Sequence, residues 1–186
     1  MSIDLPGFAD PVAQAQSTFR ALLDAMARPG TIGQAGAGLV PPSPLDPATA
    51  AVLLTLIDGD AALHIGADCA AARDWLVFHC STTPCAEAGD ASFVIATALP
   101  DLATLSAGSD EAPESAATLV LQVAELGSGA AWRLAGPGLK EPATLRVDGL
   151  PADFAARWAD NHALFPRGVD LVLCAGTRLA AIPRSI

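Results

Sequence analysis

Arginines beside prolines are the side chains of this sequence best suited to binding chemistry. Arg28, Arg167 and Arg184 each adjoin a proline. A guanidinium held on a stiff turn loses little freedom on binding, and its planar fork can make two parallel hydrogen bonds to a carboxylate or phosphate. The structural alternatives are a helix C-terminal cation for Arg28 and a solvated position near the chain end for Arg184. For Arg167 the alternative is an internal ion pair with Asp170.

Acidic, amide and imidazole side chains supply further candidates. Glu114 belongs either to the start of a strand or to a polar cleft, and the sequence leaves both open. Asn161 ends a predicted helix, and His162 follows it. The imidazole of His162 is explained by a favourable interaction with the negative end of the helix dipole. His64 is interpreted as a hydrogen-bonded strand residue, and His79 as a residue at a strand end. The candidate contacts for an anion or a partner are therefore Arg28, Glu114, Asn161, Arg167, Asp170 and Arg184.

No recognised catalytic motif accompanies these candidates. The G-x-S-x-G, H-E-x-x-H and G-x-x-x-x-G-K-[ST] patterns do not occur in the sequence. The segment Gly136-Pro137-Gly138 is predicted to be a turn between two strands, because Pro137 removes an N–H group that a phosphate-binding loop would use. We predict no catalytic residue in this chain.

The stretch from His79 to Cys85 comes nearest to metal-ligand spacing. A structural zinc site needs two pairs of ligands, and only distant residues would complete this one. The stretch is predicted to be a strand end followed by a turn, without a metal. The four cysteines show no disulfide framework and are expected to be reduced thiols: Cys69, Cys80, Cys85 and Cys174.

Composition and charge narrow the classes of protein. The chain has 186 residues, a net charge of −10, 52% apolar residues and 16% charged residues. This length predicts one domain over residues 1–186, and the apolar fraction excludes intrinsic disorder. Basic residues scattered singly in an acidic chain argue against binding to nucleic acid or anionic membranes. No spanning segment or signal peptide is visible, so we expect a cytoplasmic protein. So much apolar sequence with so little charge indicates a surface that a partner covers.

Helices are predicted by their caps and by apolar spacing. Asp10 and Pro11 begin the first helix, and Arg28-Pro29-Gly30 ends it. Further helices are predicted over 47–57, from Asp68 to about Val77, and over 151–161 with Phe154 and Trp158 on one face, besides a short helix over 100–105. The first helix carries one predicted apolar stripe, formed by Val12, Ala15, Phe19, Leu22, Leu23 and Met26.

Strands alternate with these helices. They are predicted over 61–65, 92–96, 118–124, 131–135, 144–147, 169–174 and 179–182. The run 169–174 is apolar throughout, as in a strand buried on both faces, and 179–182 is expected at the sheet edge. Whether Leu126 ends a strand or begins a hairpin through 127–129 stays open. The pattern favours a three-layer α/β domain with a mixed, mostly buried sheet.

Several segments, in order along nearly the whole chain, resemble the phosphonate-metabolism H-subunit (PhnH) family of the carbon–phosphorus lyase system. The opening and the Phe-Pro-Arg-Gly-Val-Asp segment are the most specific. The matching segments are Gly7-Phe8-Ala9-Asp10-Pro11, Gln16, Phe19-Arg20, Ala25-Met26-Ala27-Arg28-Pro29-Gly30-Thr31, Leu54-Thr55-Leu56-Ile57-Asp58, Pro113-Glu114-Ser115-Ala116-Ala117-Thr118, Gly136-Pro137-Gly138, Asn161, Phe165-Pro166-Arg167-Gly168-Val169-Asp170 and Pro183-Arg184.

This resemblance implies a place in bacterial phosphonate catabolism. With G, I and L partners, family members support the formation of ribose 1-alkylphosphonate 5-triphosphate from ATP and an alkylphosphonate. They are accessory subunits of a transferase and lyase system, form homodimers or join the larger complex, and are similar in fold to the large domain of pyridoxal-phosphate-dependent transferases. We therefore expect a homodimer that binds the I and G subunits.

Two other functions are weighed against this one. The first is a stand-alone phosphonate or nucleotide binder that uses Arg28, Arg167 or Arg184 as an anion clamp. Calorimetry with ATP and methylphosphonate would then show binding that Arg167→Ala removes. The second is a purely structural dimer module, which binds neither these ligands nor the other subunits.

A pyridoxal enzyme needs a lysine for its Schiff base, and Lys140 is the only lysine in the chain. It lies in a segment that is predicted to be an exposed turn, so we predict no cofactor. On incubation with pyridoxal phosphate, the protein should develop no Schiff-base absorbance band. A band that disappears in Lys140→Ala would contradict this prediction.

Overall fold

The computed structural model describes residues 4–186, which form four α-helices and eight strands. The helices are α1 (Pro11–Ala27), α2 (Pro47–Leu56), α3 (Arg73–Cys80) and α4 (Phe154–His162). The strands are β1 (Gly33–Gln34), β2 (Leu63–Ile65), β3 (Phe93–Ala96), β4 (Thr118–Gln122), β5 (Glu125–Leu134), β6 (Ala143–Asp148), β7 (Asp170–Ala175) and β8 (Arg178–Ile182). Short 3₁₀ turns cover Ala67–Ala72, Ala88–Asp90, Leu102–Thr104 and Pro113–Ser115. Among residues 4–186, no helix is both long and apolar enough to cross a membrane.

Six strands form one mixed sheet in the order β1-β8-β7-β4-β3-β2. Strands β2, β3, β4 and β7 run parallel to one another, whereas β8 is antiparallel to both β7 and β1. Strands β5 and β6 pair separately as an antiparallel hairpin. The prediction of β8 as an edge strand was wrong, because the two-residue β1 pairs with its outer side. A strand that short leaves no periodicity in the sequence.

Side chains on the two faces of the sheet enter two separate cores. In β7, Val172 and Cys174 pack with α1, α2 and α3, whereas Leu171 and Leu173 pack with α4 and the β5–β6 hairpin. Successive strand residues point to opposite faces, so a strand covered on both sides must be apolar throughout. The three-layer α/β architecture and the mixed, buried sheet are thus confirmed, while the single domain over residues 1–186 stays a prediction.

The first helix begins and ends where its sequence predicts. An Asp10 carboxylate oxygen accepts a hydrogen bond from the Ala13 N–H at 3.1 Å, and Pro11 occupies the first turn. The second helix begins as predicted after Asp46, but that carboxylate bonds outside its own helix, accepting from the Gly176 N–H at 2.8 Å. It therefore joins α2 to the turn between β7 and β8.

The predicted apolar stripe of α1 does not face the core as a whole. Leu22 is 7% exposed, but Val12 is 82%, Phe19 50% and Leu23 57% exposed. The helix packs inward through Leu22 and small side chains such as Ala25, which let it approach α2 closely. Because the inward face is centred on these residues, the larger apolar side chains on the other side of the stripe point to solvent.

Three local predictions were also wrong or open. His79 and Cys80 end helix α3 rather than a strand, and Ser81 stops the helix in a left-handed conformation with φ of 54°. Asp68 lies in a 3₁₀ turn and does not cap α3, which begins only at Arg73. The sequence left open whether Leu126 ends a strand or begins a hairpin. In the structure, residues 127–129 form a β-bulge within β5, since Leu126 and Ala130 both pair with Val147.

Gln122, at the end of β4, connects the sheet to the start of α2. Its side-chain oxygen accepts hydrogen bonds from the Asp46 N–H at 2.6 Å and the Thr49 hydroxyl at 2.9 Å. Its amide nitrogen donates to the Pro44 carbonyl at 2.7 Å. One side chain thereby holds the loop before α2, the helix N-terminus and the central sheet in one arrangement.

We expect Gln122→Ala to lower the free energy of unfolding by about 2–3 kcal/mol, because it leaves three partly buried polar groups unpaired. Urea denaturation followed by circular dichroism measures this. Gln16→Ala is the matched control: Gln16 is exposed on α1, and its loss should cost no more than about 0.5 kcal/mol. Equal effects of the two substitutions would refute the assigned role of Gln122.

Candidate functional site

Asp170 and Arg184 form a nearly buried ion pair at the amino end of β7. Arg184 follows β8, which is antiparallel to β7, so the two residues lie side by side. The Arg184 Nε lies 3.1 and 3.2 Å from the two Asp170 oxygens, and the Arg184 N–H donates to Oδ1 at 2.8 Å. The Arg184 Nη1 also donates to the Pro113 carbonyl. The side chains are only 14% and 16% exposed, so the alternative of a solvated Arg184 was wrong.

The other two proline-flanked arginines also have carboxylate neighbours. Arg167 does not pair with Asp170, the alternative considered from sequence, because Arg184 occupies that carboxylate. Its Nε lies 3.0 Å from an Asp110 oxygen instead, in a contact that is not aligned as a hydrogen bond. Arg28, at the end of α1, pairs with Asp24 at 2.8 Å, with both side chains 63% exposed. An incoming anion would have to compete with a carboxylate at each position.

Asn161 is a buried bridge between α4 and the start of β7. Its amide donates to the Val169 carbonyl at 2.9 Å and its side-chain oxygen accepts from the Val169 N–H at 2.8 Å. Gly168 has φ of +114°, and a Cβ there would lie 2.9 Å from the Asn161 carbonyl oxygen, so glycine is required. The nearby Glu114 is exposed and, within residues 4–186, has no hydrogen bond or ion pair.

The structure thus brings five of the six candidates to the amino ends of the parallel strands. Asn161, Asp170 and Arg184 are linked through the start of β7, Arg184 bonds to the residue before Glu114, and Arg167 lies two residues before Val169. Arg28 makes none of these contacts. A role of these residues toward an anion or a partner stays a prediction.

Ligands in open α/β sheets bind outside the carboxyl ends of the strands, and here the chain fills that edge itself. Beyond β2 and β3, an Asp68 oxygen accepts hydrogen bonds from the Thr97 N–H at 2.6 Å, the Thr97 hydroxyl at 2.7 Å and the Ala98 N–H at 3.1 Å. Beyond β4 and β7, Gln122 and Asp46 hold the start of α2 in place. Asp68 lies three residues after the short strand β2. From the sequence it was interpreted as a helix cap, so its role at the sheet edge was missed.

Burial and hydrogen bonding shift the pKa of Asp68 in opposite directions. Burial raises its pKa, but the bonds from Thr97 and Ala98 lower the pKa by more, so the pKa lies below its usual value. The carboxylate therefore stays ionised at neutral pH. Its negative charge contributes to the raised pKa of the neighbouring Cys69 thiol, about 12, although burial is the main cause.

The cysteines and histidines assemble no reactive group in the described structure. Burial raises the pKa of the Cys80 and Cys174 thiols to about 12 as well, so these thiols stay protonated and weakly nucleophilic. His64 Nδ1 is buried without a hydrogen-bond partner within residues 4–186, contrary to its interpretation as a hydrogen-bonded residue. Within the same residues, no three His, Cys, Asp or Glu side chains are grouped closely enough to hold a metal ion.

The glycine turn and the only lysine lie in the connection between β5 and β6. Gly136-Pro137-Gly138 is the turn that its sequence predicts, and it lies on the end of α1: a Cβ at Gly138 would lie 3.1 Å from the Ala27 carbonyl oxygen. Lys140 follows it and is exposed. An exposed lysine on a turn does not fit the enclosed site in which pyridoxal phosphate forms a Schiff base.

Sequence reasoning missed an aromatic cluster on the other side of the sheet. It placed Phe154 and Trp158 on one face of α4, and the structure adds Trp132 of β5, whose ring centroid lies 5.1 Å from that of Phe154. The alternation of side chains along β5 could have indicated this. Every second side chain between Leu126 and Leu134 turns toward the core, except at the bulge.

These features define a three-layer α/β protein whose candidate polar side chains mostly serve its own architecture. The family model for the bacterial phosphonate metabolism protein (PhnH) matches residues 6–186, and the chain belongs to this family. It is 39% identical over 183 residues to the alpha-D-ribose 1-methylphosphonate 5-triphosphate synthase subunit PhnH of Rhizobium meliloti (strain 1021), with 96% of this chain and 92% of the relative covered. It is 33% identical over 171 residues to the putative C-P lyase subunit protein HtxG of Stutzerimonas stutzeri, covering 91% and 83% of the two chains.

We expect Arg184→Ala to lower the free energy of unfolding by about 3 kcal/mol, because it leaves the Asp170 carboxylate nearly buried and unpaired. Arg28→Ala removes an exposed pair and should cost about 0.5 kcal/mol or less. Chemical denaturation of both variants measures the difference. A loss for Arg184→Ala no larger than that for Arg28→Ala would show that the pair does not hold β7 and β8 together.

Proposed function

We propose that this chain is an accessory subunit of the carbon–phosphorus lyase system of bacterial phosphonate catabolism. In this role it supports, with G, I and L subunits, the formation of ribose 1-alkylphosphonate 5-triphosphate from ATP and an alkylphosphonate. The names of both relatives support this pathway. The observation that carries the accessory role is an exposed apolar surface on α1, on a chain in which five of the six candidate polar side chains already contact another group of the same chain.

The α1 surface consists of Val12, Phe19 and Leu23. These residues are spaced by seven and four positions, so they form one line about 16 Å long on the helix. The only charged side chains of the helix are Arg20 and Asp24. Exposed apolar side chains gathered in this way mark contact surfaces on otherwise soluble proteins. This surface would account for part of the high apolar content of the sequence.

We propose the α1 surface as a contact for another protein chain, either the second copy of a homodimer or the I or G subunit. The net charge of −10 repels a second copy at long range, so a homodimer would depend on apolar contact. A partner subunit with a basic surface would be attracted instead. We propose that the protein works in the cytoplasm.

The architecture also supports similarity to the large domain of pyridoxal-phosphate-dependent transferases. Four neighbouring parallel strands between two helical layers are the supporting features. The resemblance would concern the fold alone, because Lys140 is exposed on a turn and the carboxyl edge of the sheet is filled by Gln122 and Asp68. We propose that the chain works without this cofactor.

Co-elution tests the proposal directly. Mixed with the I and G subunits at micromolar concentration, the chain should elute with them in size-exclusion chromatography, and separate elution would count against the accessory role. Calorimetry with ATP and methylphosphonate tests the anion clamp in parallel. Binding that Arg167→Ala abolishes would favour the clamp.

The double substitution Phe19→Glu and Leu23→Glu should abolish co-elution or dimerisation without unfolding the chain, since both side chains already point to solvent. Light scattering after chromatography measures the assembled mass. Phe78→Glu is the matched control, because Phe78 is 60% exposed on α3 and lies outside the α1 surface. Assembly that survives the double substitution would exclude α1 as the contact.

A further inference from the structure

An aromatic cavity of about 230 Å³ lies between β5, α4 and the chain end after β8. Its walls include Trp132, Phe154 and Trp158. The Trp132 ring meets Phe154 edge-on at 5.1 Å, and Phe154 stacks with Trp158 at 6.0 Å between centroids. Phe154 and Trp158 are almost fully buried, and the Trp158 indole N–H donates to the Ile186 carbonyl at 2.7 Å. These contacts fix an aromatic surface before any ligand arrives.

Two residues of the cavity lining carry hydrogen-bonding capacity that the chain does not use. The Trp132 indole nitrogen has no partner within residues 4–186, although it is shielded from solvent, whereas the indoles of Trp75 and Trp158 both donate to carbonyl groups. His162 Nδ1 lies 3.0 Å from the Arg184 carbonyl oxygen. Because a carbonyl only accepts, Nδ1 carries the hydrogen, and Nε2 of the neutral ring is left as an acceptor.

We propose that this cavity binds a nucleobase, as part of a nucleoside or nucleotide. A space of this size accommodates one ring system, and aromatic walls favour a planar π face. A nucleobase also brings acceptors and donors on its ring edge. These match the unused indole N–H of Trp132, once the ring turns this group toward the cavity, and the free nitrogen of His162. A plain hydrocarbon ring would leave this donor as unpaired as it is in the free chain, so it would lack the hydrogen-bond energy that a nucleobase gains. The ligand class is argued from the cavity, and the choice of adenosine as the probe rests on the ATP of the function proposed above.

Nuclear magnetic resonance of the full chain can test this site, since its three tryptophans give three indole N–H signals. Titration with adenosine should shift the Trp132 signal, because an unpartnered N–H gains an acceptor. The Trp75 signal is the internal reference and should not move, since Trp75 lies in the core on the other face of the sheet. An unchanged Trp132 signal up to about 10 mM adenosine, a concentration that would reveal even millimolar affinity, would overturn the proposal.

Variants separate stacking from hydrogen bonding. Trp132→Ala should raise the Kd for adenosine about tenfold, since it removes a stacking wall, and Trp132→Phe should raise it less. His162→Ala, at an exposed position that leaves the fold intact, should also weaken binding. Phe78→Ala is the control with an exposed aromatic elsewhere and should leave the Kd unchanged. Equal weakening by Phe78→Ala, or benzyl alcohol binding as tightly as adenosine, would overturn the assignment to a nucleobase.

Discussion

The architecture depends on burying both faces of β7. Its side chains alternate between the core beneath the three N-terminal helices and the core beneath α4 and the hairpin, so each face needs its own cover. The ends of the strand are fixed by polar contacts: Asp170 binds Arg184 at one end, and Asp46 binds the Gly176 N–H just beyond the other. These contacts set the register of β8 and the position of α2. Three of the six candidate polar side chains, Asn161, Asp170 and Arg184, are used in this way.

This use of polar groups explains why the molecule has few residues left for chemistry at the sheet. At the carboxyl edge, where open α/β sheets bind ligands, Asp68 and Gln122 bond to neighbouring loops and to α2. At the amino edge, Arg184 and Asn161 hold β7. The apolar surface on α1 and the aromatic cavity beside α4 are not used in this way. Both are suited to binding.

The sequence predicted the parts of the fold that depend on local signals. The cap at Asp10, the apolar run of β7 and the glycine turn before Lys140 each act through neighbouring residues, and the structure agrees. The errors arose where distant contacts decide. The partner of Arg184 lies 14 residues earlier, at the start of the neighbouring strand β7, and β1 is too short to leave a pattern. The outward direction of Phe19 depends on α2, and Trp132 meets α4 only in the folded chain.

The central claim is that this member of the PhnH family works through contact made by α1. Hydroxyl-radical footprinting of the chain alone, and of the chain mixed with the I and G subunits, tests it most directly. The account predicts strong protection of Phe19 and Leu23 in the assembly, with Phe78 modified equally in both samples. Protection absent from α1 in an assembly that demonstrably contains the chain would contradict the account.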